Sequence, residues 1–181
     1  ASLTHQLLAV RVPGNDARYL VDVGFGGQTP TAPLEFTPGV VQQTPNEPFR
    51  VGVRGNEYHL ETLIGQSWRP MYIFTDQARP EIDLRMGSWY ASTHPSQVFV
   101  TGLSATLIVD GARWNLRGHN LAVHRPGQPS EYRRYDTATE VLALLTTQFG
   151  LDVDGSVDLI DVVLDDVHAH AAAGHVGHHL G

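Results

Sequence analysis

Between residues 4 and 24, two runs rich in Leu and Val, each about eight residues long, flank the cluster Pro13-Gly14-Asn15-Asp16. That pattern predicts a β-hairpin. With the turn centred between Pro13 and Gly14, His5 faces Asp22, Leu7 faces Leu20 and Ala9 faces Arg18. Directly opposed residues share a side, with Cβ atoms about 5 Å apart. A loop longer by two residues leaves His5 and Asp22 diagonal on one face, and a loop longer by one separates them. Residues 29–48 are punctuated by Pro30, Pro33, Pro38, Pro45 and Pro48, which leaves room only for short strands such as residues 40–42. Residues 49–54, 58–63 and 68–74 follow, joined by Gly55-Asn56 and Gly65-Gln66. Phe49, Val51 and Val53 alternate with Arg50, Gly52 and Arg54, the mark of a half-buried strand. Short strands on tight turns predict a small antiparallel barrel.

The period then changes. Pro80 suits a first helical turn, and Ile82, Met86, Trp89 and Tyr90 fall on one face of a helix that ends before Ser92-Thr93-His94-Pro95. Residues 105–109 turn at Asp110-Gly111 into 113–116, and 120–124 and 131–135 supply further strands. Thr137 and Glu140 form a capping box, and Val141, Leu142, Leu144, Leu145 and Phe149 make the buried stripe of a helix stopped at Gly150. From residue 152 aspartates accumulate beside Val157, Leu159, Ile160, Val163, Leu164 and Val167, predicting a second helix capped by Ser156. The expected organisation is α+β: residues 1–78 a β-barrel domain carrying His5 and Asp22, 79–98 a linking helix, 99–155 an α/β lid domain, and 156–181 a C-terminal helix and His-rich tail.

Composition narrows the function classes. The 181 residues carry a formal net charge of -7, with twelve arginines and no lysine, and no basic cluster of the kind nucleic-acid binding needs. No apolar run is long enough to span a membrane, so a cytoplasmic protein without nucleic-acid or membrane partners is the expectation. Cysteine is absent, which excludes disulfides and thiolate metal sites. His168, His170, His175, His178 and His179 lie among Ala and Gly without apolar anchors, and read as a tail rather than as a metal site.

Charged side chains inside apolar strands are the anomaly of the first hairpin. A carboxylate that accepts an imidazole Nδ1–H fixes the tautomer and leaves Nε2 for a nucleophile. Taken alone, His5 and Asp22 read equally well as a buried structural pair. After Asp22, the glycines Gly24, Gly26 and Gly27 bracket Phe25, a pattern for close backbone approach and a pocket wall.

Thr4-His5 together with the run from Tyr19 through Asp22-Val23-Gly24-Phe25-Gly26-Gly27 to Leu34 resembles the His and Asp segments of the arylamine N-acetyltransferases. Residues 89–96 (WYASTHPS) and 99–103 (FVTGL) are similar to that family's linking helix and the start of its third domain. Residues 113–116 (RWNL) and 121–125 (LAVHR) continue the resemblance, which spans roughly residues 1–150. It implies a cysteine-proteinase-like fold when complete, and acetyl transfer from acetyl-CoA through a Cys to arylamines or hydrazines, without a metal. His5 and Asp22 become the base and its orienting carboxylate. Thr4, Phe25, Gly26, Phe99, Thr101 and Gly102 become contacts to acetyl-CoA, and Phe25 and Phe99 walls for the aromatic acceptor.

One departure matters: the family's nucleophile is a Cys of an N-terminal helical domain, and this chain holds no cysteine. The expectation is therefore the C-terminal two thirds of a family member, inactive alone, with that helical domain as its missing partner. Removing such a domain is expected to bare an apolar patch on the first unit. The alternative is a non-catalytic, truncated β-rich module that binds a ligand or partner.

Overall fold

The computed structural model describes residues 8–11, 14, 17–22 and 24–153. The chain divides into two compact units: one up to Pro80 with Asp110–Ala112 and Arg125–Pro129, the other Glu81–Val109, Arg113–His124 and the chain from Ser130 on.

In the first unit, β1 (Leu8–Arg11), β2 (Arg18–Val21) and β3 (Leu34–Glu35) form one antiparallel sheet. A second contains β4 (Val41–Gln42), β5 (Phe49–Arg54), β6 (Glu57–Ile64) and β7 (Ser67–Phe74). In place of one closed barrel, the described strands form two open antiparallel sheets that share one core. Leu20 and Leu34 come from the first sheet, and Phe49, Val51, Leu60 and Tyr72 from the second. Alternation holds in the first half of β5, where Phe49 and Val51 are buried, and ends at Val53, which is 50% exposed beside the Gly55 turn.

The hairpin register differs from the expected one. Ala9 pairs with Leu20, not Arg18, and Arg11 pairs with Arg18. With Arg11 paired to Arg18, six residues connect the two paired stretches. This is the longer-by-two loop, which keeps the parity of the ladder unchanged. In β7 the ladder skips a residue: Leu60 pairs with Tyr72 and Glu61 with Pro70, so Met71 bulges. The bulge turns Tyr72 into the core beside Leu60.

The second unit contains α1 (Glu81–Thr93), α2 (Val98–Thr101), the antiparallel strands β8 (Ser104–Val109), β9 (Ala112–Arg117), β10 (Asn120–His124) and β11 (Glu131–Arg134), and α3 (Ala138–Thr147). The β8–β9 turn has Asp110 at φ 51° and Gly111 at φ 69°, as an Asp-Gly hairpin turn requires. α3 buries Ala138, Val141, Leu144 and Leu145, and the sheet buries Leu116, Leu121 and Val123. Its capping box is complete: Glu140 N–H donates to Thr137 Oγ1 at 3.3 Å, and Glu140 Oε2 accepts from Thr137 N–H at 3.1 Å. Gly150, at φ 67°, lets Leu151 N–H reach back to Leu145 O at 3.0 Å and closes the helix.

α1 forms where the apolar spacing predicts it, yet buries none of its residues. Exposed apolar side chains occur in both units: Val40, Val41, Val53 and Ile64 in the first, and Ile82, Met86, Trp89, Tyr90, Val98, Phe99 and Val100 of α1 and α2 in the second. The expected helix capped by Ser156 and the His-rich tail lie outside the described residues, as do Thr4 and His5.

Candidate active site

Leu20 and Asp22 are two residues apart at the end of β2, so both point to the same side. Leu20 enters the core, and Asp22 follows it inward with 6% of its surface exposed. A carboxylate thus occupies a position that strand periodicity would give to a hydrophobe.

The next residues fold back to hold it. Asp22 Oδ1 accepts the backbone N–H of Gly24 at 2.9 Å, and Thr29 Oγ1 donates to the Asp22 carbonyl at 3.1 Å. Thr29 N–H donates to Gly26 O at 3.0 Å, closing a turn in which Gly26 takes φ 91°, a left-handed value suited to glycine. The other carboxylate oxygen, Oδ2, is buried and reaches hydrogen-bond geometry with none of the described residues. An unsatisfied buried oxygen of this kind costs roughly 1–3 kcal/mol, so the position calls for a donor.

Two aromatic residues complete the local surroundings. The Phe25 ring lies 5.2 Å from that of Tyr72 at an interplanar angle of 54°. Tyr72 is 3% exposed, and its phenol is pushed well above its ordinary value, first by burial and then by the Asp22 carboxylate beside it. Tyr72 and Thr29 are site residues that the sequence did not single out. Tyr72 carried no signal because only the bulge at Met71 turns it inward, whereas Thr29 sits in the loop whose glycines already marked it as unusual.

Asp22, Phe25 and Gly26 are therefore brought into one loop of the first unit. Phe99, Thr101 and Gly102 belong to the second unit, on α2 and its C-terminal cap. Phe99 is 71% exposed, and the Thr101 hydroxyl donates to Gln97 O of its own helix at 3.1 Å. Gly102 is extended, at φ -153°, and donates its N–H to Val98 O at 3.0 Å. Among the described residues no group of three or more His, Cys, Asp or Glu is placed to hold a metal ion. No helix of the described residues is long and apolar enough to cross a membrane.

A family model described as N-acetyltransferase matches residues 1–158. Fold and sequence therefore define an acetyltransferase class. The relatives sharpen it. The chain is 50% identical over 169 residues to an arylamine N-acetyltransferase of Mycolicibacterium smegmatis, covering 93% of this chain and 59% of that protein. It is 51% identical over 150 residues to one of Mycobacterium tuberculosis, covering 83% and 53%. A solved Mycobacterium marinum arylamine N-acetyltransferase in complex with CoA superposes with a TM-score of 0.85 at 46% identity, covering 92% of this chain and 62% of that one. The chain belongs to the arylamine N-acetyltransferase family, and spans little more than half the length of the curated relatives it matches.

Proposed function

We propose that this chain supplies the base and the orienting carboxylate of an arylamine N-acetyltransferase whose thiol nucleophile comes from polypeptide outside the 181 residues. The observation that carries the reading is Asp22: a carboxylate only 6% exposed at a strand end, with one oxygen tied to the Gly24 N–H. His5, one strand away in sequence, is the residue assigned as the donor to its other oxygen. The unchanged parity of the β1–β2 ladder supports this assignment.

In this mechanism the His5 imidazole takes the proton of the thiol, and Asp22 stabilises the imidazolium. The thiolate attacks the acetyl carbonyl of acetyl-CoA. The carbon–sulfur bond to CoA breaks, and the departing CoA thiolate takes the proton back from His5. An arylamine or hydrazine nitrogen then attacks the thioester, its proton passes through His5 to the leaving thiolate, and the acetylated product departs. Two half-reactions through a covalent acetyl-enzyme require ping-pong kinetics.

Phe25 and Phe99 are the proposed walls for the aromatic acceptor. Thr4, Phe25, Gly26, Phe99, Thr101 and Gly102 are the proposed contacts to acetyl-CoA, in keeping with the relative solved with CoA. The partner is a helical N-terminal domain bearing the thiol. No metal takes part, and the setting is cytoplasmic. The test uses a protein of full family length containing this chain. After exposure to acetyl-CoA, intact mass should show acetyl-enzyme in the parent and none with His5→Ala. Normal acetylation of the variant would reject the role of His5.

A further inference from the structure

In the sheet of the second unit, Trp114 pairs with Val123 and Leu116 with Leu121 across β9 and β10, while Leu121 pairs with Arg133 and Val123 with Glu131 across β10 and β11. Paired residues share a side, so these six side chains stand on one face. α3 stands on the same face: its Leu144 and Thr147 wall a hollow of about 410 Å³ together with Trp114, Arg133 and Tyr135. Those three residues also border a second hollow, of about 350 Å³, that runs on past Val123 and Glu131. Four strands at roughly 4.8 Å spacing make a sheet on the order of 15–20 Å wide, and one helix with its side chains covers about 10 Å of it. α3 therefore leaves a trough beside itself, with the half-buried Trp114 at its floor and the Arg133 guanidinium, 4.6 Å over the Tyr135 ring, at its rim.

The course of the chain leads to this trough. Gly150 at φ 67° and the bond from Leu151 N–H to Leu145 O turn the backbone at the end of α3. The described residues end at Val153, shortly after Gln148, which lines the first hollow. In the sequence that follows, Ile160, Val163, Leu164 and Val167 fall at i, i+3, i+4 and i+7, with Asp158 and Asp165 opposite them. A helix over 157–167 is about 16 Å long, against about 15 Å for α3, so the two match along the sheet. Six aspartates and no arginine lie between residues 152 and 166, a charge that suits a trough with Arg133 on its rim. A segment tethered this closely binds at an effective concentration on the order of millimolar, an advantage over any separate partner.

We propose that residues 157–167 of this same chain dock in the trough antiparallel to α3, laying Ile160, Val163, Leu164 and Val167 against Trp114 and the Arg133–Tyr135 pair. The sheet of the second unit then carries two helices on one face. Docking of this segment involves none of the residues assigned to acetyl transfer.

The test makes Trp114 the sole tryptophan of the 181-residue chain through Trp68→Phe and Trp89→Phe. In that chain Leu164→Asp should bring a several-fold rise in acrylamide quenching of Trp114 and a red shift of its emission, while the amides of β9 and β10 still exchange slowly. Val162→Asp, the same change on the opposite face of the segment, should leave quenching at the parental level. Hydrogen exchange read by mass spectrometry on the unsubstituted chain reports the same docking without a variant. Peptides within 157–167 should exchange about as slowly as those of α3, and far more slowly than those of 170–181. Quenching indifferent to Leu164→Asp, or raised equally by both substitutions, overturns the proposal. So does exchange in 157–167 as fast as in 170–181, meaning that a separate partner or water covers the trough.

Discussion

The backbone N–H of Gly24 donates to Asp22 Oδ1 at 2.9 Å, so one oxygen of a buried carboxylate is fixed by the chain two residues on. The other oxygen, Oδ2, is buried, and the Asp22 carboxylate helps raise the pKa of the Tyr72 phenol. This division of labour within one side chain makes the loop after β2 testable in parts.

The first part is the phenol. Tyr72 in the folded chain ionises well above its ordinary 10.0, because burial and the Asp22 charge both disfavour the phenolate. A raised folded value means that its contribution to stability is fully present below about pH 10 and is lost as pH climbs beyond. Denaturant melts between about pH 8 and 12 should show that alkaline loss in the parent chain and a flatter profile in Tyr72→Phe. Asp22→Asn should fall between the two, since it removes the charge and keeps the burial.

The turn itself separates two glycines. Gly26 sits at φ 91°, and a Cβ added there would have nothing within 4 Å, so Gly26→Ala meets only backbone strain. The expected cost is roughly 1–2 kcal/mol. Gly24 has no left-handed φ, and a Cβ there would touch Asp22 Oδ1 at an ordinary 4.0 Å. Gly24→Ala should therefore melt within about 0.5 kcal/mol of the parent. Equal losses at the two positions would contradict the turn described.

In the second unit, the capping box of α3 carries its own pH signature. Backbone N–H groups of Asp136 and Thr137 donate to the Glu140 carboxylate and hold its pKa below the ordinary 4.5. A lowered folded value contributes stability above the ordinary carboxylate pKa and loses it as pH falls through the folded one. Thermal melts from about pH 7 to 3 should thus show a shallower acid loss in Glu140→Gln than in the parent. Thr137→Ala should cost about 1 kcal/mol at neutral pH.

Sequence periodicity located nearly every strand because alternation and turn residues agree there: Phe49 and Val51 point inward, and Asp110-Gly111 turns. Asp22 was legible for the same reason, as a charge two residues beyond Leu20 on an inward face. The register of β1 and β2 was not, because the apolar pattern does not set the length of the connecting loop. Tyr72 escaped notice because a bulge at Met71 shifts the parity of β7. α2 was not anticipated, since Val98, Phe99, Val100 and Thr101 are β-branched or aromatic and favour extended chain when taken locally. The stripe on α1 was legible as helix, but periodicity marks which face is apolar and says nothing of what covers it.

Asp22 as the carboxylate that orients a catalytic imidazole is tested most directly by the rate of acetyl-enzyme formation in a protein of family length carrying Asp22→Asn. Asparagine keeps an oxygen for the Gly24 N–H but turns the other oxygen into an NH2 donor, which cannot accept the imidazole N–H. The account predicts a fall on the order of 10⁴-fold with the melting temperature little changed. Acetylation at the parental rate would contradict it.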